Sequence, residues 1–222
     1  MMTNLFSSFD PSTNMMNMSL NWTSTIMMMY IMPMSYWLNK SRSSMVFKLN
    51  LSILNKEFYS IINHKSGVII FISMFIMIMM NNFLGLFPYI FTSSSHMVMT
   101  LSIALPMWLS FNLFGWMKKT NYMFSHLLPL GTPSLLMPFM VCIETISNLI
   151  RPGTLAIRLA ANMIAGHLLL TLLGNSGSTL NNIMLLSMLS IQMMLLMLES
   201  AVSIIQAYVF SILLTLYSSE IN

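Results

Sequence analysis

The sequence predicts an all-α integral membrane protein with three transmembrane helices, one amphipathic surface helix and a long, tilted two-helix C-terminal hairpin. Three observations carry this. Only 6% of the 222 residues are charged and 56% are hydrophobic, against about 25% charged in a typical soluble domain; so few charges cannot cover a water-facing surface. Apolar runs long enough to cross a bilayer recur along the whole chain, and the mean hydropathy is +0.77. Most Lys and Arg fall in two short stretches, Lys40 to Lys65 and Lys118–Lys119. The same composition excludes a disordered chain, which would be polar and charged. The single cysteine, Cys142, excludes a disulfide scaffold and a multi-Cys metal site. The whole of 1–222 reads as one membrane domain.

The elements follow in order. Residues 1–19 are polar, with Asp10-Pro11 as a turn or helix start. Residues 20–38 form a mostly apolar run, whose length at about 1.5 Å per residue matches a hydrocarbon core of about 30 Å. Trp22 and Trp37 stand near its ends as an interfacial belt would place them, and Pro33 is a kink site. In 45–62 the apolar residues Phe47, Leu51, Leu54, Phe58 and Ile61 recur at helical spacing, with Lys48, Ser52, Asn55 and Lys56 on the other face; this predicts a helix lying on the membrane surface, with a short soluble helix packed on a partner as the weaker alternative. Residues 68–91 and 98–116 are two further spans, the first interrupted by Asn81, Asn82, Gly85 and Pro88, the second stopped by Lys118–Lys119.

Two long apolar stretches close the chain, 134–173 and 181–217, joined by the turn residues after Gly174. As continuous helices they would measure about 60 and 55 Å, nearly twice the hydrocarbon core. Either each breaks, with Pro152-Gly153 as one site, or both lie strongly tilted as a hairpin. Basic loops mark the inner side of a membrane, so the N-terminus and the loop at 91–97 are expected outside, and both basic loops and Glu220 inside. No Lys or Arg precedes Lys40, so no Arg-rich transit peptide is expected.

The hairpin carries ionisable groups where they cost several kcal/mol in lipid and are functional candidates by default. Glu144, Arg151 and Arg158 recur at intervals of seven, nearly on one helix face; Asn162 is one turn beyond Arg158, and His167 points to the opposite side. On the second stretch Glu199, Ser203 and Gln206 share a face. An acid toward the inner end, a His and a Glu toward the outer turn, and a permanent cation between them make a plan for two separate proton-access paths. Glu144 is open to two readings, an acid of the inner path or an ion-pair partner of Arg151. Arg151 itself reads as structural.

The residues that carry this plan also carry a resemblance. Ile157-Arg158-Leu159-Ala160-Ala161-Asn162-Met163-Ile164-Ala165-Gly166-His167 resembles the Arg-containing motif of the subunit a family of ATP synthases, and so does Glu199 followed by Gln206-Ala207-Tyr208-Val209-Phe210. Glu144-Thr145-Ile146-Ser147 and the N-terminal Met1-Met2-Thr3-Asn4-Leu5-Phe6 through Asp10-Pro11 look like the animal mitochondrial form. The resemblance covers essentially the whole chain.

It implies that Arg158 faces the carboxylate of a rotor ring (the c-ring) and bars direct leak, with Gln206 beside it and Asn162 flanking it. It implies that His167 and Glu199 line the proton path from the intermembrane space, and that Glu144 serves the path to the matrix. Bacterial members place an acid and a His where this chain has His167 and Glu199. The implied setting is the mitochondrial inner membrane, N-terminus in the intermembrane space and C-terminus in the matrix, among other membrane-sector and peripheral-stalk subunits. The transported species is H⁺, with no cofactor and no metal.

In an antiparallel pair the indices of facing residues have a nearly constant sum. Arg158 with Gln206 and His167 with Glu199 fit one register. A turn centred near Gly177 would give a sum about ten lower, so the second helix is expected to start late, near residue 182 or beyond, rather than to be offset.

Other readings are weaker. No Walker A pattern exists for nucleotide phosphates, and the basic residues form no solvated stripe for nucleic acid. No His pair has the spacing of a bis-haem site; His64, His96 and His126 each sit near a loop and read as interfacial. The Met-rich stripes are lipid-facing or filler. Asn17-Met-Ser and Asn21-Trp-Thr match a glycosylation pattern by coincidence. A self-contained transporter or channel would use the same buried ions, but should show inverted repeats, and no repeat is visible.

Overall fold

A computed structural model of the chain describes residues 5–13, 18–33, 41–62, 65–128, 133–177 and 181–221. Among these there is no strand. The helices are α1 (Ser24–Ile31), α2 (Arg42–Ile62), α3 (Lys65–Gly85), α4 (Met97–Lys118), α5 (Thr120–His126), α6 (Met137–Ser176) and α7 (Asn182–Ile221), with short 3-10 turns at Leu5–Phe9, Leu20–Thr23 and Ser93–Ser95. Four segments are long and apolar enough to cross a membrane: Gly67–Gly85, Met97–Lys118, Met137–Ser176 and Ile183–Glu220.

The first expected span differs. Regular helix stops at Ile31, and Met32 is extended at φ −61°, ψ 130°, because the ring of Pro33 disfavours helical backbone in the residue before it. The 3-10 turn and α1 together reach only about 20 Å. Residues 34–38, with Trp37, lie outside the described residues.

The second difference concerns α2. Its apolar stripe does not lie free for a membrane surface. Phe58 is fully buried and Ile62 nearly so, in one core with Val68, Phe71 and Phe75 of α3 and Ala207, Phe210 and Leu214 of α7, and Leu54 and Ile61 pack against that core. Tyr208 Oη donates to Glu57 Oε2 at 3.2 Å and adds a polar tie between α2 and α7. The stripe was legible in the sequence; its partner was not, because α7 is some 150 residues away.

On α3, Val68, Phe71, Phe75, Ile78 and Asn82 recur at helical spacing and are buried. The helix ends at Gly85, earlier than the expected 91, and the turn at 86–89 that follows closes on Tyr89 at φ 69°. Lys118 closes α4 with its ammonium 4.7 Å from the Phe114 ring. The short helix α5 follows, unforeseen in the sequence.

The helix α6 runs through Pro152 and Gly153 without a break, so the unbroken alternative holds there. Proline removes one backbone bond, while Thr154 Oγ1 donates to the Arg151 carbonyl at 2.9 Å. The stretch expected from 134 begins as a turn over 134–136, and the helix starts at Met137. Along α7 the buried seam is Ser203, Ala207, Phe210, Ser211, Leu214, Thr215 and Ser218. Its hydroxyls donate to carbonyls three residues back, Ser203 to Ser200 and Thr215 to Ile212, both at 2.7 Å. Hydroxyls are thereby satisfied within their own helix, as an apolar setting demands.

The helix α7 packs most broadly on α3, and α6 on α4; α6 and α7 meet along a narrower antiparallel strip. Glycines make it close. A Cβ at Gly166, Gly174 or Gly177 would lie 2.5 Å from Glu199 Oε1, 3.9 Å from Gln192 Nε2 and 3.1 Å from Met188 Sδ. These three pairs share one register. The late start at Asn182 is seen, with 178–180 outside the described residues. Yet Gly177 faces Met188, so α7 projects about 9 Å past the end of α6. Late start and offset therefore occur together, where the sequence reading chose only the first.

Candidate functional site

Polar side chains gather at two ends of the α6–α7 strip, with Arg158 between them. At one end, Asn82, Leu159, Asn162, Met163, Gly166, Glu199, Val202, Ser203 and Gln206 line a cleft of about 20 Å³. The register of α6 and α7 sets this: Asn162 and Gly166 are one turn apart, as are Glu199 and Ser203, so both pairs face one seam. Both carboxylate oxygens of Glu199 are buried and have no hydrogen-bond partner among the described residues, and the same is true of Asn82 Oδ1. A buried polar group without a partner costs on the order of 1–3 kcal/mol, so this is a place where a proton or a polar ligand gains.

His167 lies beside that cleft but turns away from it, toward α3 and the N-terminal segment. Its Nε2 is 3.9 Å from where a Cβ on Gly85 would stand, and its ring meets the Phe9 ring edge-on, 6.3 Å between centroids. Its Nε2 is buried without a hydrogen-bond partner among the described residues. Glu199 lies against Gly166, and no hydrogen bond joins it to His167 Nε2 among the described residues.

At the other end, Glu144, Asn148, Arg151, Tyr217 and Glu220 line a cleft of about 70 Å³ with residues of α4 and α5. Arg151 Nη2 is 3.6 Å from Glu144 Oε1 and Nη1 is 3.2 Å from Glu220 Oε2. The guanidinium also lies over the Tyr217 ring at 5.2 Å. Glu144 is thus an ion-pair partner of Arg151, which was one of its two readings, and it also borders a polar cleft, which the other requires.

Arg158 is different from Arg151. It is exposed on α6 and makes no ion pair among the described residues. With Leu155, Leu159, Gln206, Val209 and Phe210 it borders a shallow groove, so Arg158 and Gln206 are neighbours. Asn162 is exposed on the next turn. Along the helix axis Arg158 is about 13 Å from His167 and about 21 Å from Glu144. Around it α6 exposes Leu149, Ile150 and Ile157, and α7 exposes Ile204 and Ile205, so a permanent cation stands in an apolar outer face.

Sequence reasoning missed Asn82, Glu220, Tyr217 and the contact of Phe9 and His96 with this region. Asn82 had a signal, an amide inside an apolar span, read only as an interruption. His64 lies outside the described residues, as do the side chain of His126 and Asn17. No group of three or more metal-ligating side chains is found among the described residues.

Comparison with known proteins points to one family. A family profile described as ATP synthase A chain matches residues 15–219. The chain is 63% identical over 225 residues to ATP synthase subunit a of Locusta migratoria, and 60% identical over 226 residues to that of Anopheles gambiae. It is 59% identical over 225 residues to that of Drosophila melanogaster. Each match covers 100% of both chains.

Proposed function

The chain belongs to the ATP synthase A chain family, and on that premise we propose that it is the multi-pass stator subunit of the membrane sector of the mitochondrial inner-membrane enzyme. In this role it carries protons between two half-channels by way of the c-ring and binds no nucleotide. The observation that carries the reading is Arg158: exposed, unpaired among the described residues, and set between two polar clefts at opposite ends of α6.

The chemistry follows from that placement. A proton arriving from the intermembrane side reaches His167 and Glu199 and passes to a carboxyl group on the rotor ring. The neutral carboxyl can then move through lipid, where a charged one would cost several kcal/mol. After nearly a full turn it gives up the proton toward the Glu144 cleft. The guanidinium of Arg158 holds its charge throughout, favours the ionised carboxylate as it passes, and repels a proton moving straight from one cleft to the other. Gln206 lines the same groove, Asn162 the next turn. Each elementary charge crossing 100 mV supplies about 2.3 kcal/mol, so several protons are needed per ATP. The N-terminus then lies in the intermembrane space and the C-terminus in the matrix.

The test is cross-linking in the assembled complex. With Cys142→Ser as background, a cysteine at Ala161, exposed near Arg158, is paired with one on the outer helix of the ring. A cross-link that forms and that blocks turnover is expected. No cross-link, in a protein that conducts protons alone in liposomes, would mean a self-contained channel.

A further inference from the structure

We propose that the N-terminal 3-10 turn is a working part of the proton inlet: Phe9 positions the His167 ring, and His96 is the latch that holds Phe9 there. The inference rests on the reading of His167 given above and extends it to residues that it does not include.

The argument starts from what fixes His167. An imidazole that serves a proton path needs a defined ring orientation, which a hydrogen bond to one nitrogen ordinarily supplies. Here Nε2 is buried without such a partner among the described residues. Packing therefore sets the ring plane, from two sides. On one side is the bare Cα of Gly85, where a Cβ would stand in ordinary contact with Nε2 at 3.9 Å and tight against Thr92 Cγ2 at 3.0 Å. On the other side is Phe9, at 6.3 Å and 87° between ring planes, within the range of favourable edge-to-face aromatic pairs.

Phe9 lies on a five-residue turn with no buried residue of its own. Such a turn does not hold its place unaided. Its position comes from two long-range bonds. His96 Nε2 is 2.9 Å from the Phe9 carbonyl; a carbonyl only accepts, so His96 donates. Asn21 Nδ2 donates to the Asp10 carbonyl at 3.1 Å. The His96 ring is itself fixed between aromatic neighbours, Phe91 at 5.2 Å and Trp22 at 5.4 Å. Beyond the turn, Asp10 Oδ1 accepts the Ser12 N–H at 3.0 Å, which holds the Asp10 carboxyl below its usual range. A chain of contacts thus runs from Trp22 and Phe91 through His96 and Phe9 to His167. What the latch needs from His96 is one N–H donor at the right reach, not an imidazole as such.

The experiment measures proton-driven ATP synthesis per assembled complex against proton concentration on the intermembrane side. Phe9→Ala is expected to lower the rate several-fold and to shift the half-saturating proton concentration, while Phe9→Tyr, which keeps the ring, stays near wild type. His96→Ala should behave like Phe9→Ala, and His96→Gln, which keeps an N–H donor, should restore most of the rate. Should Phe9→Ala fail to assemble, Phe9→Met keeps the apolar bulk without the ring and carries the same comparison. Wild-type rate and half-saturation in Phe9→Ala and His96→Ala would overturn the proposal, as would His96→Gln being no better than His96→Ala. His167→Leu in the same assay separates the layers. Normal synthesis there sinks the role of His167 itself; loss there, with Phe9 and His96 variants unaffected, sinks only the positioning.

Discussion

A methyl group on Gly166 would stand 2.5 Å from Oε1 and 2.8 Å from Cδ of Glu199. The Glu199 carboxyl group occupies the space that a side chain at residue 166 would fill. What a methyl meets is the flexible end of a long side chain, not backbone. Gly166→Ala should therefore leave helix packing nearly intact, with a stability change below about 1 kcal/mol. Glu199 must swing out of the cleft, so proton-driven synthesis should fall at least about tenfold, the scale of about 1.4 kcal/mol on the barrier. Comparing thermal stability of the purified complex with its synthesis rate checks this; a stable variant with wild-type rate would refute it.

The two arginines of α6 should separate sharply. Arg158→Ala should abolish coupled synthesis while the complex assembles, since no ion pair among the described residues is lost. Arg158→Lys should also fail largely, because an ammonium lacks the planar fork that meets a carboxylate on two nitrogens. Normal proton-driven synthesis in Arg158→Ala would defeat the assignment.

Arg151→Gln should be mild. Its partners Glu144 and Glu220 are more than a third exposed, at 38% and 47% of their side chains, and exposed pairs are worth about 0–1 kcal/mol. A double-mutant cycle of Arg151→Gln with Glu220→Gln, read by thermal unfolding, should give a coupling within that range. A coupling of several kcal/mol would mean that the cluster is a structural keystone.

Phe58→Ala tests where α2 belongs. The side chain is 0% exposed in the core shared with α3 and α7, and truncating a buried Phe costs about 3–5 kcal/mol. Protease cleavage in α2 should rise strongly in the variant. Unchanged cleavage would mean that α2 rests on lipid instead of on α3 and α7.

Much of the fold was legible because lipid leaves few choices. A run such as 98–116 with almost no charge must be helical to satisfy its own backbone, and the observed helix Met97–Lys118 follows from that alone. The spacing of Arg158, Asn162, Glu199 and Gln206 also fixed which of them share a helix face. Arg158 beside Gln206 in one groove needed only the antiparallel register to be right.

What remained hidden depends on contacts between distant segments. The stripe on α2 announced a buried face but not what buries it, since lipid and the apolar seam of α7 look alike to Phe58. The sequence paired His167 with Glu199 by index, yet rotation by one residue on a helix is about 100°. So Gly166 meets Glu199 and His167 meets Gly85 and Phe9. His96 looked like an interfacial histidine because nothing local says that a carbonyl 87 residues away comes within 2.9 Å. Hydropathy and helical period are properties of a segment, and the sequence alone determined the long helices and the polar groups they carry. Which side chains touch is a property of how the segments dock, and only the tertiary structure decided that.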